Sequence, residues 1–268
     1  MKPSPAGRAI GIVLLVGLIG FFVWNISRPK TFPQTPRMAE GTQAAGVRAV
    51  RESAERDARL VKQLIEEDLG KRRFHFSTVL KASSGKQVIK LDPDDPVHAL
   101  LLERLDHHLT TITATLSEDD SPVRSHRRIN EVSRHFEDAL IAALDAEDDW
   151  EAGIPATREG KAQRSGYPDI RVVHRPSSKV FYLDPKLVEE TSWDSSFRSF
   201  YFEPKTESLK INDHAVHLLV GIGHDGNSGE WQFTEWKIVD LASLQLRLKP
   251  EFQASNADLY PSTSEEAE

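Results

Sequence analysis

Cysteine is absent from the 268 residues. Its absence excludes disulfide staples, Cys-ligated zinc, iron–sulfur clusters and thiol nucleophiles. It leaves the redox compartment open. Positive charge is also short: 34 Lys and Arg against 41 Asp and Glu give a net charge of −7. A bulk polycation is excluded, so any contact with nucleic acid must come from a local basic face. Gly221-Ile-Gly223 lacks the rest of a dinucleotide fingerprint and the helix such a fingerprint opens. What is present, 39% hydrophobic and 28% charged residues, is the balance of a globular chain of one or two domains.

One segment stands apart from that balance. Ala9 to Trp24 is uncharged and almost wholly apolar, and Asn25 and Ile26 bring it to the length of a short membrane span. Arg8 precedes it, Arg28 and Lys30 follow it, and Trp24 takes an interfacial position. No A-x-A cleavage pattern follows, which argues against a signal peptide. Apolar residues on all faces argue against a core helix. The expectation is a single-pass anchor, with the lipid membrane as partner through residues 9–26. Lys2 and Arg8 on one side nearly balance Arg28, Lys30 and Arg37 on the other, with a lean towards a cytoplasmic body.

Pro29, Pro33 and Pro36 then predict an extended linker. From Thr42 to Leu69, apolar residues at helical spacing predict a helix ended by Gly70, either a coiled-coil partner or a helix packed on the body. Phe74 to Ile89 reads as two short strands around Ser83-Ser84-Gly85. Asp92-Pro-Asp-Asp-Pro96 caps a helix through His98, Leu101, Leu105 and Leu109. His107 and His108 point about 100° apart on that helix, so they read as a solvated face. A further helix spans Ser125 to Ala146, with Ile129, Val132, Phe136, Leu140 and Leu144 on one stripe. Glu137 falls at the edge of the stripe, where a carboxylate can be aimed between helix and sheet. The run Asp145 to Glu151 reads as a solvated loop.

The next stretch carries the chemistry. GYPDIRVV, the turn HRPSS and KVFYLDPK read as a β-hairpin. It places Asp169 near the start of one strand and Asp184 near the end of its antiparallel neighbour. The period of two puts Lys186 on the same face as Asp184. Carboxylates gathered around one point suit a hard cation such as Mg²⁺. A lysine beside them can orient water or stabilise phosphate charge.

These residues resemble the PD-(D/E)XK nuclease superfamily. Pro168-Asp169, the hairpin spacer and Asp184-Pro185-Lys186 look like its motif, and Arg134-His-Phe-Glu137 is similar to its first helix. The resemblance covers about Ser125 to Leu248. It implies a restriction-endonuclease-like fold, α/β or α+β, with a central mixed β-sheet flanked by helices. It implies Mg²⁺-dependent phosphodiester hydrolysis (Mn²⁺ as the alternative ion), with DNA as substrate in preference to RNA. Asp169, Asp184 and Glu137 would hold the metal, and Lys186 would position or activate water. Glu159-Gly-Lys161, Glu203-Pro-Lys205 and Glu235-Trp-Lys237 fit the same tripeptide. Of these, Glu235 competes most, in the strand WQFTEWKIV with Asp225 across a turn.

Downstream, Trp193 to Arg198 reads as a loop or a phosphate contact. SFYFEP reads as a strand, His217 to His224 as a buried strand, and His214, His217 and His224 as structural histidines. Arg124, Arg127, Arg128, Arg134, Arg158, Lys161, Arg164, Arg171 and Arg175 form a candidate DNA-facing set. The expected division is an anchor at 1–30, a Pro-rich linker at 31–41, a helical accessory region at 42–120, the nuclease-like domain at 121–250 and a polar acidic tail at 251–268. The alternatives are a non-catalytic membrane-tethered scaffold and an extracytoplasmic sensor domain.

Overall fold

The strongest β-formers lie in the second half of the chain, and they build the sheet. The structure is a computed structural model, and it describes residues 40–196, 200–204, 208–249 and 251–260. The chain divides after Glu66. In the first unit the described residues form one helix, α1 (Glu40–Glu66), on which Val50, Leu60 and Ile65 are exposed.

The second unit runs β1 (Arg73–His75), α2 (Phe76–Ser84), β2 (Val88–Ile89), α3 (Pro96–Ser117), α4 (Ile129–Asp145), β3 (Trp150–Gly153), β4 (Ile170–His174), β5 (Lys179–Glu189), β6 (Ala215–His224), β7 (Phe233–Asp240), β8 (Gln245–Arg247) and the one-turn α5 (Asn256–Leu259). The main sheet has the order β2-β6-β5-β4-β3. β5 and β6 are parallel, while β3–β4, β4–β5 and β6–β7 are antiparallel. β2 and β7 share one edge of β6, end to end: β2 pairs with Ala215 and Val216, and β7 from Leu218 onward. β1 and β8 make a separate two-stranded ribbon.

Alternation along the strands divides the core in two. Ile170, Val172, Phe181, Leu183, Leu218, Val220 and Ile222 face α3 and α4. The stripe Val132, Phe136, Leu140 and Leu144 of α4 is fully buried there. α3 starts where Asp95 accepts from the backbone N–H groups of Val97 and His98, with Pro96 in the first turn. Tyr182 and Ala215 point to the opposite face, where they meet Phe76 and Leu80 of α2 with Tyr167, Leu209, Ile211 and Leu241.

Several expectations are corrected. The anchor preceding the body is the first. No helix among the described residues is long and apolar enough to cross a membrane, and the segment 9–26 lies outside the described residues. The observed architecture is a mixed α/β body with a multi-stranded sheet. A transmembrane helix ahead of it, single-pass membrane localisation and a lipid partner are withdrawn on that finding. Phe74 to Ile89 is not a strand pair. Phe76 and Leu80 are both buried one helical turn apart, so the segment gains more as α2. Gly85, with φ of 75°, is its left-handed C-cap, not a hairpin turn. The solvated loop at Asp145 to Glu151 ends in a strand, because Trp150 is buried and pairs with His174. Residues 200–204 form no strand; Phe200 and Phe202 pack edge-on against Phe76 and Tyr167. In the tail, Ser255 and Asp258 close a capping box on α5, and 261–268 lie outside the described residues.

Candidate active site

The β4–β5 register decides which side chains meet. Ile170 pairs with Leu183, and the Asp169 N–H donates to the Leu183 carbonyl at 3.2 Å. One step further along the same register, Asp169 stands across from Asp184. Lys186 follows two residues on, over the same face. β4 no longer pairs at Pro185, so the missing N–H there costs no ladder bond with it.

The three side chains converge. The Lys186 ammonium lies 2.8 Å from Asp184 Oδ2 and donates to Asp169 Oδ2 at 3.2 Å. Asp184 is 2% exposed, and its Oδ2 has the ion pair but no hydrogen bond. Burial pushes the Asp184 carboxyl well above the usual carboxylate range; Lys186 pulls it back, and the like charge of Asp169 adds to the rise. Burial opposes the charge on Lys186 as well, but Asp184 and Asp169 outweigh it and hold the ammonium above the ordinary lysine value. The cluster therefore holds two carboxylates around one ammonium, one positive charge short of balance.

Glu137 stands at the rim. Its Oε2 is 3.5 Å from Arg164 Nη1, while Arg164 Nη2 contacts Asp138 Oδ1 at 2.5 Å. Burial raises the Glu137 carboxyl, with Asp169 adding to the rise and Arg164 and Lys186 opposing it. Among the described residues no group of three or more His, Asp or Glu side chains is placed to hold a metal ion. The donor chemistry still suits a hard cation: carboxylate oxygens, one of them buried without a hydrogen bond, in a site where positive charge relieves a buried acid beside a half-buried one.

The other candidates do not converge. Glu235 is exposed on β7 beside Lys237, and Asp225 closes its own turn by accepting from Asn227 and Gln232. Of the proposed basic face, Arg124, Arg158 and Arg175 donate to carbonyls. Arg134, Arg164 and Arg171 pair with Asp138, Glu137 and Asp213. Arg127, Arg128 and Lys161 are exposed. Arg198 lies outside the described residues. His108 meets Glu147 at 2.7 Å, and His214 accepts from the Gln87 N–H.

The family model of the type II restriction enzyme MjaV family matches residues 69–263. The chain belongs to this family. A relative from Methanocaldococcus jannaschii, described as type II restriction enzyme MjaV, is 29% identical over 198 residues, which is 70% of this chain and 85% of the relative. No solved structure matches. The MjaV-family match contains Glu137, Asp169, Asp184 and Lys186, and the segment 9–26 lies outside it.

Lys210 and Tyr167 at this candidate site escaped sequence reasoning, and His217 was read as a structural histidine without its partner. Lys210 is fully buried and donates to the carbonyls of Gln163 and Arg164 at 3.0 and 3.3 Å. Burial pushes its ammonium down to about 8 against the pull of Asp169, Asp184 and Glu137. It thus ties down the loop that carries Arg164. Tyr167 and His217 lie behind the cluster, with Tyr167 Oη and His217 Nδ1 2.7 Å apart. Burial, then the charge of Asp184, raises the Tyr167 phenol, and burial drops His217 to about 3. The one available signal was Lys210 between Leu209 and Ile211, a charge inside an apolar run.

Proposed function

We propose that the chain is a metal-dependent DNA endonuclease of the PD-(D/E)XK kind. The observation that carries this reading is the meeting of Asp169, Asp184 and Lys186 on one sheet face, in a chain of the MjaV family. The relative's description as a type II restriction enzyme supports DNA as the substrate class. Asp169 and Asp184 would hold Mg²⁺ or Mn²⁺, with Glu137 as an outer carboxylate. When bound, that ion polarises the phosphodiester and makes a water more acidic.

The remaining work falls to the chain's own groups. The Lys186 ammonium stays charged beside the two acids and places positive charge against the phosphate as negative charge builds on it. The β4–β5 register holds both aspartates on the rigid part of the sheet. Arg164 fixes Glu137, and Lys210 fixes the backbone of Arg164. A complete acid–acid–lysine set supports chemistry over the non-catalytic scaffold.

The test titrates Mg²⁺ and Mn²⁺ calorimetrically into wild type and Asp184→Ala, alongside cleavage of plasmid DNA. Metal binding and cleavage should disappear together in the variant, with cleavage down by roughly 10²-fold or more while the circular dichroism spectrum is retained. Full cleavage by a folded Asp184→Ala protein would sink the assignment.

A further inference from the structure

β5, β6 and β7 lie side by side, and their registers define a row. Lys186 of β5 pairs with Gly221 of β6, and Gly221 pairs on its other edge with Lys237 of β7. The flanking residues Ile222 and Trp236 face α3 and α4. Alternation therefore puts Lys186, Gly221 and Lys237 on the opposite face, the one that carries Asp184. At a strand spacing of about 4.8 Å, the two lysines start roughly 10 Å apart.

Trp193, just beyond β5, occupies the middle of that row. A Cβ at residue 221 would come within 3.0 Å of its Cζ3 and 3.3 Å of its Cη2. The indole thus rests where only glycine leaves room. The Lys237 ammonium sits 3.9 Å from the centre of the Trp193 ring, with its side chain 49% exposed and its Nζ 3.4 Å from the exposed Glu235. The ring thus holds an ammonium over the sheet that would otherwise extend into water. The indole Nε1 is buried and has no hydrogen-bond partner. A buried donor left unpaired in a close-packed place calls for a missing acceptor.

We propose that Lys237 is a DNA-backbone contact, held in place by Trp193, in the row that begins at Lys186. The inference rests on the endonuclease reading and extends it to substrate positioning. Lys186 takes the phosphate being cut, and Lys237 takes a phosphate further along the same strand. Trp193 acts through Lys237 as a positioning residue. Glu235 provides a competing carboxylate that the duplex displaces.

The test measures binding of a labelled plasmid-derived duplex over a salt series, with Ca²⁺ replacing Mg²⁺, for the full chain. Losing one phosphate contact lowers the slope of log K against log salt by about 0.9. Lys237→Gln should lose that amount, and Lys237→Arg should keep it. Trp193→Phe, which retains a ring, should keep the slope; Trp193→Leu should lose as much as Lys237→Gln. Under cleavage conditions Lys237→Gln should raise KM and leave kcat nearly unchanged. Thermal melts establish that each variant is folded. Equal slopes for wild type and Lys237→Gln overturn the proposal and leave the endonuclease reading intact. An unchanged slope in Trp193→Leu overturns the positioning role. Failure of the wild type to bind DNA at all overturns the reading and the proposal with it.

Discussion

His217 shows how far burial alone shifts a side chain. Its ring is fully buried against Tyr167, Tyr182 and Phe76, and burial holds it neutral down to about 3. In the unfolded chain a histidine takes up its proton near 6.5. Its folded value is depressed, so the stability it contributes is present above about 6.5 and is lost as pH falls towards 3, at up to about 1.4 kcal/mol per pH unit. Denaturant melts between pH 7 and 5 should show this loss in wild type, and His217→Leu should show a shallower decline than wild type. Parallel declines would refute a neutral His217. Some of this scale was legible in advance. Asp169, Asp184 and Lys186 share a face because strand alternation is a short-range rule. Lys210 and the partner of His217 were not legible, because Tyr167, Gln163 and Arg164 lie 46 or more residues away from the side chains they meet and no local pattern encodes such a meeting.

Elements hold the site through the hairpin turn between β4 and β5. The turn ends at Ser178, whose N–H donates to the His174 carbonyl at 2.8 Å while its own φ is 58°. A side chain pays for the left-handed region, and glycine does not. Ser178→Gly should therefore raise stability by about 0.5–1 kcal/mol, read as a shift in the denaturation midpoint, with the register and cleavage rate retained. A fall in stability would mean that the Ser178 side chain supports the turn in a way its backbone angle does not reveal. The sequence showed this hairpin clearly because β-branched and aromatic residues bound an obvious Pro-Ser-Ser turn. It showed α2 poorly. Thr78 and Val79 carry strand propensity, yet burial of Phe76 and Leu80 on the sheet overrides it. The indole seat at Gly221 was equally hidden, since a glycine inside a strand signals a close approach without naming what approaches.

At the scale of the whole molecule, charge sets the behaviour. The chain carries a net charge of −7 and sets a buried Asp184 beside a half-buried Asp169, so a divalent cation should stabilise it. Saturation to a hundred times the dissociation constant adds about 2.7 kcal/mol. Melting curves should therefore shift upward with Mg²⁺ in wild type and stay fixed in Asp184→Asn. An equal shift in both would place the cation elsewhere. The expected anchor lies in residues 9–26, outside the described residues, and no helix among the described residues is long and apolar enough to cross a membrane. The shared edge of β6 has a different kind of consequence. β2 and β7 close that one edge from opposite ends of the body, and β5, which carries Asp184 and Lys186, is flanked by β6 along its whole second half. A chain emerging from the ribosome thus exposes its site residues well before the strand that shelters them exists. A chain that ends before residue 215 would lack the strand that flanks Asp184 and Lys186.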